Sequence, residues 1–467
     1  METQAAMKII DLYTRDKKNS PESIFKYRLT DECLSIFNEN GSIRKCQKSK
    51  LVDVLQFKEA EVRNYISILD MSFIWRKAIP KSDEYVKADG TNFTWNDYAT
   101  KMYNLIVSRH PEAKQFILVN DYYGEDVINC KDVETNRRYQ KFVGGSTPNI
   151  YPSPDKELPN QKNLKEFFKS KGNKRRLQEF IGDHFRKFCS NSDKEMVYVL
   201  RGKSISLTTS VAIPAFENFK IEADNSVFYI YSQIRKMGES SPVVIDAEDT
   251  DILVTAAYVT TKIDGKLFLK RKKNLFDCSQ FCDEEMASIA VRLHVMTGCD
   301  SISSFFGKGK KGVWKNVLTN KGKGISLLKD LTIDSMRQFT IQFIYNDNTS
   351  SNLTEMREKK WRLMKRKCFA RLGIDEDSHE TRFARVRYVV NLIASFESKY
   401  ERENPLTNGY MLDENLNCVP IRYTKPAMPD NIIILQNDAP EATSRHSDSD
   451  DESEGSGDEG DVDDKDI

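Results

Sequence analysis

The sequence predicts an α/β fold with a mainly parallel sheet, and three observations carry that expectation. Short runs such as "YISILD" (65–70) and "QFILVND" (115–121) are apolar almost throughout, as strands covered on both faces are. Each is followed by a stretch of helical spacing or polar character long enough to cross back over a sheet. Several of the runs end on an acid, and ligand sites of open α/β sheets gather at the carboxyl ends of their strands.

Taken in order, residues 1–60 read as a small helical or irregular extension. "YISILD" leads as a strand into the helix-like "MSFIWRKAI", and "QFILVND" leads into a polar, basic run. "VGGSTPNIYPSPDKELPNQ" (143–161) is rich in Gly and Pro and reads as a loop, and "NLKEFFKSKGNKRRLQEFIGDHFRKF" (163–188) as a basic amphipathic helix. "PVVIDAEDTDILVTAAYV" (242–259) reads as a long strand interrupted by acids. "ASIAVRLHVMTGCD" (287–300) has helical spacing, and His294 within it reads as a packing residue. Residues 331–437 form a C-terminal region whose basic segment "MREKKWRLMKRK" (356–367) is a solvated face or a nucleic-acid contact. Residues 438–467 are a disordered acidic tail. There are no internal repeats.

Composition narrows the class. The 467 residues are 39% hydrophobic and 30% charged, enough for a core under a highly charged surface. No run approaches the roughly 18 apolar residues of a membrane span, and the start lacks a signal-peptide apolar block. Nine cysteines without a CxxC pair fit free thiols in a reducing compartment, and "CSQFC" (Cys278, Cys282) has no second pair to complete a zinc site. The expected location is intracellular, nuclear or cytoplasmic, with "KRKK" (270–273) and "KRK" (365–367) as weak import signals. The formal net charge of +1 hides an asymmetry. Residues 447–467 hold 11 acids and one lysine, and removing them from the chain's 71 basic and 70 acidic residues leaves 70 and 59, a net +11. Such a body attracts a polyanion, while the tail aids solubility, binds a basic partner or masks the basic surface.

Seven acids stand where strands or helices would present them to one centre. Asp70 closes "YISILD" and Asp121 closes "QFILVND"; Glu222 and Asp224 precede an apolar helical run. Asp249 and Asp251 are two apart, which in an extended segment sends both to one side. Asp300 follows the helix-like run. Taken singly, each acid suits a cap or a turn. Together they would repel one another unless hard divalent cations, Mg²⁺ or Mn²⁺, neutralised them. Just beyond Asp300, "GKGKK" combines glycines, which let backbone N–H groups approach a phosphate, with lysines.

"TGCDSISSFFGKGKKGVW" resembles the flap endonuclease/XPG superfamily, whose nuclease core is PIN-like, and is closer still to a divergent group of animal proteins with a variant of that core. The likeness covers roughly residues 30–325. It implies a PIN-like three-layer core over 61–330, with an arch-like insertion at about 130–200 and a helix–two-turn–helix module at about 287–325. It further implies a structure-selective nuclease cutting DNA in preference to RNA. Two Mg²⁺ or Mn²⁺ ions would be held by Asp70, Asp121, Glu222, Asp224, Asp249, Asp251 and Asp300. Lys131 and Arg138, in "NCKDVETNRR", would face the cut phosphate, and Gly307, Lys308, Gly309, Lys310 and Lys311 would hold duplex. The chain departs from that pattern in its 69-residue lead before Asp70 and in "LVNDYY". The rival readings are an inactive nucleic-acid-binding adaptor that keeps the fold, a PIN-type ribonuclease, and a scaffold with an acidic interaction tail.

Overall fold

A computed structural model describes Ile10 and residues 22–428, apart from 46, 52–53, 56–57, 125–127, 131–132, 134–148, 191–192, 366–367 and 402. Seven strands make one sheet: β1 (Tyr65–Asp70), β2 (Ala113–Val119), β3 (Glu195–Leu200), β4 (Lys203–Ser206), β5 (Val243–Asp246), β6 (Leu267–Arg271) and β7 (Asn274–Asp277). Their spatial order is β4-β3-β2-β1-β5-β6-β7. The five inner strands are parallel, and each edge is closed by an antiparallel hairpin, β3–β4 and β6–β7. A small hairpin of β8 (Tyr410–Leu412) and β9 (Cys418–Pro420) stands apart. No helix among the described residues is long and apolar enough to cross a membrane.

Alternation along the inner strands divides the core. Ile66 and Ile68 of β1, with Ile117 and Val119 of β2, face one apolar cluster; Leu69, Phe116 and Leu118 face the other. On the second side lie α1 (Met71–Lys77), α2 (Trp95–Arg109), α3 (Gln161–Phe167) and α4 (Lys171–Cys189). On the first side lie α5 (Ala223–Lys236), α6 (Thr250–Val259), α7 (Glu284–Met296), α8 (Lys310–Thr319), α9 (Lys321–Asp330) and α10 (Ile333–Phe339). Burial on both faces is why these strands read as unbroken apolar runs. Further along come α11 (Leu353–Leu363) and α12 (Glu376–Ala394).

The chain moves outward from β1 through β2 to β3, then returns to place β5 on the other flank of β1. That reversal falls between β1 and β5, and the carboxyl ends of strands at such a reversal are the usual ligand position in these sheets.

Two expectations need correction. Residues 242–259 are not one strand: β5 ends at Asp246, and α6 begins at Thr250 with Asp249 as its N-cap. A buried helix and a buried strand are both apolar all round, so periodicity cannot separate them. Asp249 and Asp251 therefore owe their proximity to a helix start rather than to an extended segment. The stretch 163–188 is two helices, parted at Phe168–Ser170, where Ser170 caps α4 by accepting from Asn173 N. In the described part of 130–200, α4 buries Leu177, Ile181 and Phe185 in the core, and Glu195–Leu200 is a sheet strand.

The lead and the C-terminal region share the main core. Cys33, Ile36 and Phe37 join the same apolar cluster as Met336, Tyr345 and Val386. Within α12, His379 is buried, with its Nε2 3.3 Å from Thr340 Oγ1. Burial, with Arg382 and Arg337 nearby, pulls its imidazole down to about 3. Below about pH 6.5 the unfolded chain takes up a proton that the folded chain refuses until about pH 3. Stability therefore falls as pH drops through that window, by about 1.4 kcal/mol per pH unit from this group. A His379→Gln chain is expected to show a flatter decline in urea unfolding between pH 6.5 and 4.5. An unchanged slope would mean that the folded chain accepts the proton.

Candidate functional site

The site begins where β1 ends. Asp70 caps α1, accepting from Ser72 N at 2.8 Å, and Ser72 Oγ donates in turn to Asp121 Oδ2 at 2.9 Å. Tyr123 OH donates to the same oxygen at 2.9 Å, and Ala223 N donates to Asp121 Oδ1 at 2.8 Å. The last bond ties the end of β2 to the start of α5, where Glu222 is the N-cap and Asp224 lies in the first turn. Asp70 and Asp121 are thus linked through Ser72, and the bond to Ala223 N brings the start of α5, with Glu222 and Asp224 on either side of Ala223, up to Asp121. A helix N-terminus also favours the carboxylates placed there.

The other three meet around a residue that the sequence did not single out. Lys48 starts a 3₁₀ turn, Lys48–Leu51, whose Leu51 is buried. Its Nζ lies 2.7 Å from Asp251 Oδ2, 2.7 Å from Asp300 Oδ1 and 3.9 Å from Asp249 Oδ1. Burial opposes the charge on this ammonium, but Asp251, Asp249 and Asp300 outweigh it and raise its pKa. Asp251 also has His294 Nε2 2.9 Å from its Oδ1, off hydrogen-bond alignment. Burial alone would push Asp251 up; His294 and Lys48 hold it well below the usual carboxylate range. Burial and the adjacent Asp251 push Asp249 the other way. Burial, reinforced by Lys310, pulls His294 down to about 4, so its ring is neutral at pH 7.

The two groups share a cavity of about 60 Å³, lined among others by Glu222, Asp224, Asp251, His294 and Asp300. Hard oxygen donors around a small polar space suit Mg²⁺ or Mn²⁺ in kind. Among the described residues, however, no three His, Cys, Asp or Glu side chains close on one point in a metal-ligand group. The donor chemistry fits a divalent cation; the finished ligand shell is not formed.

Beyond Asp300 the chain turns through 301–309 into α8. Gly307 has φ 65, Gly307 and Gly309 are exposed, and Lys308 and Lys311 are half-buried. Lys310 differs from expectation: it is 3% exposed, and its ammonium donates to His294 O and to Thr297 Oγ1. It fastens the carboxyl end of α7 instead of facing solvent, because the turn folds it back under Thr297, where a cation suits the helix dipole. A cavity of about 380 Å³ runs along this loop, with Arg44 and Lys45 of the lead on its wall beside Lys308. Lys131 and Arg138 lie outside the described residues.

Gly298 holds the turn together. Its φ is 107, and a Cβ there would meet the N and Cα of Ser304 at 2.9 Å, backbone that cannot move aside cheaply. Gly298→Ala is expected to cost about 2 kcal/mol or more in denaturant unfolding. A loss below about 0.5 kcal/mol would mean that the turn relaxes freely.

Lys48 and Ser72 were missed for one reason. Each is an ordinary residue made important by a neighbour 49 to 252 positions away, and only the packing of the lead on α6 and α8 brings Lys48 to Asp300. The chain matches no protein-family model, and no curated protein matches it.

Proposed function

We propose that the chain is a metal-dependent nuclease with a PIN-like core, similar to flap endonucleases, and that it cuts DNA in a structure-selective way. One observation carries the reading: carboxylates from three separate segments, Glu222 and Asp224, Asp251, and Asp300, line one cavity, with Asp121 and Asp70 tied to its edge through Ala223 N and Ser72, beside a loop and a lead that present Arg44, Lys45 and Lys308. A carboxylate centre repels phosphate, so the pairing makes sense where cations stand between them. Asp70, Asp121, Glu222, Asp224, Asp249, Asp251 and Asp300 are the residues that would hold divalent ions. Such ions, when bound, supply an activated water and charge for the leaving oxygen.

The chain's own contribution is positioning. Ser72, Tyr123 and Ala223 N fix both oxygens of Asp121, and the start of α5 carries Glu222 as its N-cap residue and Asp224 in its first turn. Arg44, Lys45 and Lys308 supply a sequence-independent hold on the phosphodiester backbone. The net +11 of residues 1–446 adds attraction over longer range.

A second reading, an adaptor that binds nucleic acid without cutting, is favoured by the absence of a closed three-ligand group among the described residues. End-labelled flap, hairpin, single-stranded and RNA substrates, each with Mg²⁺ or Mn²⁺, separate the two. Cleavage that needs metal and disappears in an Asp249→Ala/Asp251→Ala chain supports the nuclease. Tight binding with no cleavage on any substrate supports the adaptor.

A further inference from the structure

We propose that the Lys48 ammonium is a built-in cation of the carboxylate centre, standing in for one of the two divalent ions, so that the site takes up a single divalent cation. The inference rests on reading the acids as a cation site, and it assigns a role to the lead before Asp70.

The geometry is that of a bound cation. Lys48 Nζ bridges Asp251 Oδ2 and Asp300 Oδ1 at 2.7 Å each, with Asp249 Oδ1 at 3.9 Å. It is not a surface lysine that happens to reach an acid. Its side chain is only 16% exposed, and the turn that carries it packs against α6 and α8, with Leu51 anchored in the core. A tethered ammonium acts at a high effective concentration, so a free ion must compete with a neighbour that never leaves.

A place for one further ion remains. Asp251 and Asp300 touch Lys48 and also line the 60 Å³ cavity with Glu222 and Asp224, whereas Lys48 does not line it. Roughly that volume suits one partly hydrated cation. His294 gives independent evidence of an incomplete site: it is 2% exposed and lines the cavity, its Nδ1 has no hydrogen-bond partner, and its Nε2 meets Asp251 out of alignment. Buried polar atoms are almost always satisfied, and an imidazole edge beside a carboxylate is well placed to meet a cation that touches both.

The test counts Mn²⁺ bound per full-length chain, using the electron paramagnetic resonance signal of free Mn²⁺. Ions that persist in an Asp224→Asn/Asp251→Asn chain are subtracted, which removes binding by the acidic tail. The wild type is expected to hold one ion at the centre, Lys48→Met two, and Lys48→Arg one. Two ions in the wild type would overturn the inference and leave the metal reading standing, since divalent ions would then displace Lys48. One ion in folded Lys48→Met would overturn it as well, because the ammonium would not be holding an ion's place. No ion in either the wild type or Lys48→Met would overturn both the inference and the metal reading. A wild-type count of two overturns the inference even if Lys48→Met fails to fold.

Discussion

An Asp251→Asn chain is expected to lose metal-dependent cleavage by at least about 100-fold while keeping its fold. Asp251 stands at the middle of its group of acids: it meets Lys48 through one oxygen and His294 through the other, and it lines the shared cavity. Asparagine keeps the shape but supplies a neutral oxygen in place of an anionic ligand. It also leaves Lys48 with Asp300 as its one close carboxylate, so a fall of a few degrees in thermal midpoint should accompany the loss. The discriminating comparison is Asp283→Asn. That acid caps α7 and pairs with Lys321, well exposed, and its loss should leave cleavage unchanged. Equal cleavage by Asp251→Asn and wild type would remove Asp251 from the reaction.

The largest stability effect is expected at Arg382. This guanidinium on α12 is 1% exposed. Its Nη2 donates to Met296 O and Ser303 O at 2.8 Å each, its Nε donates to Ser303 O at 3.3 Å, and it lies 4.3 Å from the centre of the Phe305 ring. Burial pulls its pKa down to about 9, so it is still a cation at neutral pH. Arg382 thereby clamps both ends of the turn that carries Asp300. Arg382→Ala removes three bonds, orphans two buried carbonyls and opens a cavity, for an expected loss of about 3 to 5 kcal/mol in urea unfolding. Arg382→Lys restores a charge but not the planar fork, and should recover less than half of that loss. A loss under 1 kcal/mol for alanine would mean that water replaces the clamp at little cost.

This clamp also explains why residues 331–437 were hard to read as part of the site's support. "RFARVRYVV" advertises a helix with arginines on it, which by composition belong on the surface. Only the position of two carbonyls some eighty residues earlier makes Arg382 a core residue.

What the sequence by itself determined is the class of fold and where its acids stand along the elements. Apolar runs at 65–70 and 115–121 became inner parallel strands, the run at 287–296 became α7, and every acid singled out lies in the described structure at a strand end or helix start, or in the turn after α7. These features are local: burial on two faces writes itself into consecutive residues, and so does a helix cap. What only the tertiary structure decided is how the centre is balanced and what the lysines do. Lys48 was an unremarked lysine and is the ammonium between Asp251 and Asp300; Lys310 was assigned to duplex and is buried under Thr297. The strand-like segment at 250–259 is a helix, because burial on all sides erases the period that would have told one from the other. The physical reason is common to all three. A charge's partner is chosen by distance in space, and distances of 2.7 Å between residues 203 and 252 positions apart are not written in any local pattern.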